Sequence, residues 1–126
     1  MTGVQTCALP ISPGLGEQQL FAQCWLPERD ARAVVVISHG LGEHSGRYAG
    51  LAQRLVDQRY AVYALDHRGH GRSPGRRANI ERFSSLVTDL GTFAGRAARQ
   101  HPGSPSVLLG HSMGGAVAMA DRKSVV

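Results

Sequence analysis

Lysine occurs once in this chain of 126 residues, at Lys123, and cysteine twice, at Cys7 and Cys24. Two thiols cannot build a disulfide framework or a four-ligand metal site, so packing must hold the core together. Long apolar runs are missing too. None nears the roughly 18 residues of a membrane-spanning helix, and the opening residues lack the basic segment and apolar stretch of a secretory leader. Aromatic residues are only 6% and are not interleaved with the cations, which removes the stacking platform of a single-strand nucleic-acid binder. What is present is 42% apolar and 18% charged residues, the balance of one small globular domain. The formal charge of +5 rests on arginines scattered singly apart from Arg76 and Arg77, which reads as a solvated surface and not a nucleic-acid footprint.

The two ends differ in composition from the middle. Asp121-Arg122-Lys123-Ser124-Val125-Val126 holds the lone lysine of an otherwise arginine-, alanine- and glycine-rich chain. Back-translated, it reads as a common short-read sequencing adapter (GAT CGG AAG AGC GTC GTG), and residues 2–11 read as the opposite-end adapter after a GTG start. The expectation is that residues 1–11 and 121–126 are adapter-like artefacts, Cys7 among them, that make few buried contacts and are poorly ordered or arbitrarily placed. Residues 12–120 are then the natural stretch, a piece of one longer domain.

Within that stretch, residues 18–25 carry Leu20, Phe21 and Trp25 and stop at Pro27, which predicts a strand near a sheet edge. Ala33-Val34-Val35-Val36-Ile37-Ser38 is continuously apolar and β-branched, as a strand covered on both faces must be. Residues 46–59 space Tyr48, Leu51, Leu55 and Val56 as an amphipathic helix, and 60–65 read as a second buried strand. Glycine, proline and arginine crowd residues 67–77 into a surface loop. From 80 to 100, Phe83, Leu86, Leu90, Phe93 and Ala97 keep the 3.6-residue period of a helix. A third buried strand at 106–109 runs into Gly110-His111-Ser112-Met113-Gly114-Gly115, and 116–120 begin another helix. Strands alternating with helices imply an α/β fold, a mostly parallel sheet with right-handed crossovers and flanking helices.

Gly110 to Gly114 fits G-x-S-x-G between a buried strand and a helix. At such a turn the serine is held in a strained conformation that exposes its hydroxyl, and Gly110 and Gly114 let strand and helix approach without Cβ clashes. The amide of Met113, at the helix start, points to where an oxyanion would form. A second donor belongs on the loop after an earlier strand, where His39-Gly40-Leu41-Gly42 stands. Leu41 N–H is the candidate, with Gly40 allowing close approach and His39 a structural hydrogen-bonder. The strands at 33–38, 60–65 and 106–109 should then lie parallel in one sheet, with 106–109 beside 33–38.

Three blocks now carry a resemblance: Ser38-His39-Gly40-Leu41-Gly42-Glu43-His44-Ser45-Gly46-Arg47-Tyr48, Asp66-His67-Arg68-Gly69-His70-Gly71-Arg72-Ser73, and Leu108-Leu109-Gly110-His111-Ser112-Met113-Gly114-Gly115. The chain resembles the monoacylglycerol lipase and lysophospholipase group of α/β-hydrolases, with their serine aminopeptidase S33-like domain. The resemblance implies a truncated α/β-hydrolase fold and a serine ester hydrolase that cleaves monoacylglycerols or lysophospholipid-like esters through an acyl-enzyme. It implies no cofactor or metal and a small lipid ester as substrate. It also implies a cytoplasmic protein that touches a membrane surface at its periphery. Ser112 is the implied nucleophile, Glu43 and Arg47 the implied substrate contacts, and His111 an elbow residue pointing away from the reaction.

One departure bears on the activity. The triad of this fold runs Ser, then Asp or Glu, then His, and after Ser112 there is only Asp121 in the adapter-like tail and no histidine. Asp66 precedes the serine and resembles a structural loop aspartate. The expectation is a gene that encodes an enzyme and a chain that is inactive by itself, with general carboxylesterase or acyltransferase chemistry as the alternatives within the fold. Other classes fit less well. Gly40-Leu41-Gly42 with Asp66 imitates a dinucleotide site but has Ser45 in place of the third glycine, and His67 and His70 lack a third metal ligand nearby.

Overall fold

The computed structural model describes residues 4–10, 19–80 and 82–120. The chain enters through strands β1 (Val4–Pro10) and β2 (Gln19–Trp25) and continues into β3 (Ala33–Ser38). A short 3-10 helix (Ser45–Tyr48) leads into α1 (Ala49–Asp57). Then follow β4 (Tyr60–Leu65), α2 (Phe83–Arg99), β5 (Ser106–Gly110) and α3 (Met113–Ala120). The strands form one sheet in the order β1-β2-β4-β3-β5. β3 pairs in parallel with β4 on one side and β5 on the other, in the predicted arrangement, while β2 runs antiparallel to both β4 and β1.

Side chains alternate across the sheet and divide the core into two layers. Val34, Val36, Tyr63 and Leu65 face α2 and α3, where Leu90, Phe93 and Val117 are buried against them. Val35, Ile37, Val62 and Ala64 face α1 through Ala52 and Val56, with Trp25 closing that layer. Full burial of a side chain such as Phe93 or Ile37 stabilises the fold by about 2 kcal/mol, and both are essentially inaccessible. α1 stops where Arg59 enters the left-handed region at φ 70° and donates its amide to Val56 O (2.8 Å). The chain can then turn straight into β4.

Two sequence expectations meet a different outcome. The helix expected over 46–59 divides at Tyr48 into a 3-10 turn and α1, because His44 caps the turn by accepting from Gly46 N (3.1 Å). Residues 4–10, expected to be poorly ordered or arbitrarily placed, run as β1 in continuous register with β2, from Val4 opposite Trp25 to Pro10 opposite Gln19. The reason lies in the main chain: without β1, β2 would present a full row of unpaired donors and acceptors, which any extended segment can satisfy whatever its side chains. β2 is consequently one strand in from the edge. Residues 1–3, 11 and 121–126 of the adapter-like ends lie outside the described residues.

Candidate active site

The loops after β3, β4 and β5 meet at the C-terminal ends of the parallel strands, the place where open α/β sheets bind ligands. β5 ends at Gly110 and α3 begins at Met113, so His111 and Ser112 make the turn. Ser112 takes φ 57°, a left-handed conformation that costs a residue with a side chain about 1 kcal/mol or more. Only glycine permits a turn this tight. A Cβ on Gly114 would run into the carbonyl oxygens of Ser38 and His39, and one on Gly110 would stand 2.5 Å from Gly115 Cα. His111 N donates to Ser38 O (3.1 Å) and fastens the elbow to the end of β3. The result is an exposed Ser112 whose side chain makes no hydrogen bond among the described residues.

The loop after β3 lies directly against this elbow. A Cβ on Gly40 would be 3.3 Å from Ser112 Cβ and 3.2 Å from His111 O, so the main chain at residue 40 packs on the serine. The amides of Leu41 and Met113 donate to no acceptor among the described residues. Glu43 folds back over the loop: its Oε1 accepts from Gly40 N (2.9 Å), from Tyr48 OH (2.7 Å) and from His111 Nδ1 (3.3 Å). Those donors, the Gly40 amide first and the Tyr48 hydroxyl next, hold the Glu43 carboxyl down at about 2. Burial, reinforced by the same hydrogen bond, pushes the Tyr48 hydroxyl up to about 12. Arg47 stands 3.9 Å from Glu43 Oε2 and is largely exposed.

The sequence and the fold of this chain are matched in known proteins. A family model described as "Serine aminopeptidase, S33" matches residues 29–121. The chain belongs to this S33 family of α/β-hydrolases. It is 48% identical over 107 residues to a monoacylglycerol lipase of Mycolicibacterium smegmatis, a match that covers 85% of this chain and 38% of that protein. With a monoglyceride lipase of Homo sapiens it shares 44% identity over 102 residues, which cover 81% of this chain and 34% of the relative. A carboxyl esterase from Bacillus coagulans superposes with a TM-score of 0.82 at 27% identity, over 93% of this chain and 39% of that one. The chain thus spans little more than a third of the length of these relatives.

In this S33 chain the histidines near the elbow are committed elsewhere. His67 N donates to His39 Nε2 (3.0 Å), which leaves His39 Nδ1 as the protonated nitrogen, donating to Gly40 O (2.7 Å). Burial moves the His39 pKa below its ordinary value, so the ring is a neutral strut with no lone pair for a substrate proton. His67 Nε2 lies 2.9 Å from Ser38 Oγ, and burial followed by the neighbouring His39 and His70 pushes its pKa to about 3. His70 Nδ1 is taken up by Arg68 O (2.9 Å). His111 is exposed and turned toward Glu43. Among the described residues no imidazole is hydrogen-bonded to Ser112.

Asp66 is a clamp. It is buried, its Oδ1 accepts from Ser45 N (2.6 Å) and its Oδ2 from Arg72 N (2.9 Å), so it ties the loop after β4 to the 3-10 turn. Ser73 Oγ in turn donates to Asp66 O (2.5 Å) and accepts from Phe21 N (2.9 Å). Two further residues were not singled out by sequence reasoning. Tyr48 was read as an apolar helix position and serves Glu43 through its hydroxyl. Asp89 sits fully buried on α2 and receives Arg68 through two nitrogens, at 2.7 and 3.2 Å. A lone acid inside the apolar stripe of 86, 90 and 93 was the available signal for it.

Proposed function

We propose that residues 12–120 are the nucleophile-bearing part of a serine ester hydrolase that cleaves monoacylglycerols or lysophospholipid-like esters. Ser112 Oγ attacks the ester carbonyl and loses its proton to a base, and the carbonyl oxygen becomes an oxyanion received by the Leu41 and Met113 amides. The alcohol then departs with a proton and leaves an acyl-serine, which water hydrolyses to the free acid and Ser112. The observation that carries this reading is the strained Ser112, with Gly40 packed on it and two unengaged amides on the flanking loops. The names of the relatives, a monoacylglycerol lipase and a monoglyceride lipase, support monoacylglycerols as the substrate. Arg47, with its exposed guanidinium, and Glu43, through Oε2, are the proposed contacts for the polar end of the substrate, since Glu43 Oε1 is committed to the loop.

The base and its orienting carboxylate come from residues beyond this chain, so the chain alone is inactive. Activation matters because a serine without a base is scarcely ionised at neutral pH, and losing a triad member costs on the order of 10⁴ to 10⁶ in rate. The test joins residues 12–120 in frame to the part of the Mycolicibacterium smegmatis relative that follows its matched segment. The joined protein should hydrolyse monoacylglycerols and short p-nitrophenyl esters, and Ser112→Ala should abolish both. Hydrolysis that survives Ser112→Ala overturns the assignment.

A further inference from the structure

Leu41, the proposed oxyanion donor, sits in a turn that Glu43 closes twice. Glu43 N donates to Gly40 O (3.1 Å), and Glu43 Oε1 accepts from Gly40 N (2.9 Å). With Gly42 at φ 78°, residues 40–43 have the left-handed third residue and the closing bond of a type II turn. Leu41 is at its exposed apex, so the direction of its amide follows from how firmly the two ends of the turn are held. His39 Nδ1 donates to the same Gly40 O (2.7 Å) and anchors the first end from the buried side. The second end depends on the Glu43 carboxylate.

Two sets of groups compete for that carboxylate. Oε1 receives Gly40 N, the Tyr48 hydroxyl (2.7 Å) and His111 Nδ1 (3.3 Å), so one oxygen touches the turn, the residue before α1 and the elbow. Oε2 lies 3.9 Å from Arg47 Nε, on a largely exposed side chain that draws the carboxylate outward. Tyr48 makes the shortest of these contacts, and its ring is half-buried against the layer of Ala52 and Val56, which gives the hydroxyl a fixed base. Its pKa, pushed up to about 12, keeps the proton on the oxygen throughout the neutral range. A hydrogen bond to an ionised acceptor is about twice as strong as one between neutral groups, whereas an exposed ion pair such as Arg47 with Glu43 contributes little. The balance therefore keeps Glu43 on the turn.

We propose that Tyr48 is a positioning residue for the reaction: its hydroxyl holds Glu43 Oε1 on the Gly40 amide and so aims the Leu41 N–H at the oxyanion that forms beside Ser112. Tyr48 touches no reacting atom and acts through Glu43 and the turn. Gly40 is the residue through which the effect reaches the nucleophile, since a Cβ there would be 3.2 Å from Glu43 Oε1 and 3.3 Å from Ser112 Cβ. The inference rests on the catalytic reading given above.

The experiment uses Tyr48→Phe, which removes the hydroxyl and keeps the ring that packs on α1. In the 126-residue chain, NMR should show hydrogen exchange of the Gly40 amide about tenfold or more faster, and the Glu43 midpoint should rise from about 2 toward 4.5. In the protein joined to the remainder of the Mycolicibacterium smegmatis relative, kcat on p-nitrophenyl esters should fall about tenfold or more with KM unchanged, because a misaimed donor is felt once the oxyanion forms. A role in stability alone would leave kcat of the folded enzyme intact. Tyr60→Phe, the same deletion at the opposite end of β4, should alter none of these readings. Gly40 exchange that does not change, a retained kcat, or a loss confined to KM overturns the proposal. A joined protein that is inactive even with Tyr48 in place, while Tyr48→Phe still frees Gly40 in the chain, upholds the hold on the turn and counts against the catalytic reading.

Discussion

The loops that follow β3 and β4 and the loop that follows β5 stand side by side and are built on opposite terms. In the first two, Ser38, His39, Asp66 and Ser73 are buried and spend their polar atoms on one another, on His67 or on main chain, while His67 bonds through Nε2 and leaves Nδ1 without a partner among the described residues. In the third, His111 and Ser112 are exposed, and the serine hydroxyl and the Met113 amide are left unengaged. Groups in a satisfied buried network are costly to displace and rigidify the site, whereas an unengaged exposed group is free to meet a ligand. The difference separates the buried groups that set the geometry of the site from the exposed ones, Ser112 here and Leu41 and Arg47 on the loop after β3, that are proposed to meet substrate.

The largest expected effect compares glycines on the two sides. Gly114→Ala drives a methyl group into the backbone carbonyls of Ser38 and His39, which cannot move without shifting β3. It should destabilise the chain by about 3 kcal/mol or more in denaturant unfolding. Gly42→Ala meets nothing within 4 Å and carries only the strain of φ 78°, about 1 kcal/mol. Equal losses would erase the distinction between a packed elbow and an open loop.

Next comes the Asp66 clamp. Asp66→Ala leaves the buried amide of Ser45 and the part-buried amide of Arg72 without their acceptor, at a cost of about 2 kcal/mol by the same unfolding measurement. A loss near zero would mean that the loops hold without it. The smallest effect is the pH dependence of Glu43. Its carboxyl falls from 4.5 to about 2 in the folded chain. A depressed folded pKa means that its contribution is complete above pH 4.5 and is lost as pH falls through about 2. An NMR titration of the Glu43 carboxyl should place its midpoint near 2, and a midpoint at 4.5 would show that the Gly40 and Tyr48 contacts do not persist in solution.

Much of the scaffold was legible because it depends on local composition. The runs at 33–38 and 60–65 are apolar on both faces because β3 and β4 are covered on both faces, and the 3.6-residue stripe of α2 follows from packing one side on the sheet. Ser112 was legible because a strained turn needs glycine on both flanks. What escaped depends on partners distant in sequence or on main chain alone. β1 forms by pairing with β2, which no side-chain pattern announces. The Glu43 contacts with Gly40 and Tyr48 span three and five residues through an irregular loop, and that with His111 spans 68, so spacing could not reveal that one oxygen joins them. Leu86 and Phe93 were expected and found in the core, but Asp89 between them needed Arg68 from another loop to explain it.

The central proposal is that Ser112 is set in place by this chain and activated by groups outside the described residues. The most direct measurement is fluorophosphonate labelling of the chain alone beside the same residues joined to the C-terminal portion of the Mycolicibacterium smegmatis relative. The account predicts stoichiometric labelling at Ser112 in the joined protein and labelling of the chain alone at the background of its Ser112→Ala variant. Rapid, stoichiometric labelling of Ser112 in the isolated, monomeric chain would contradict it, because a base among the residues described above would then be activating the serine.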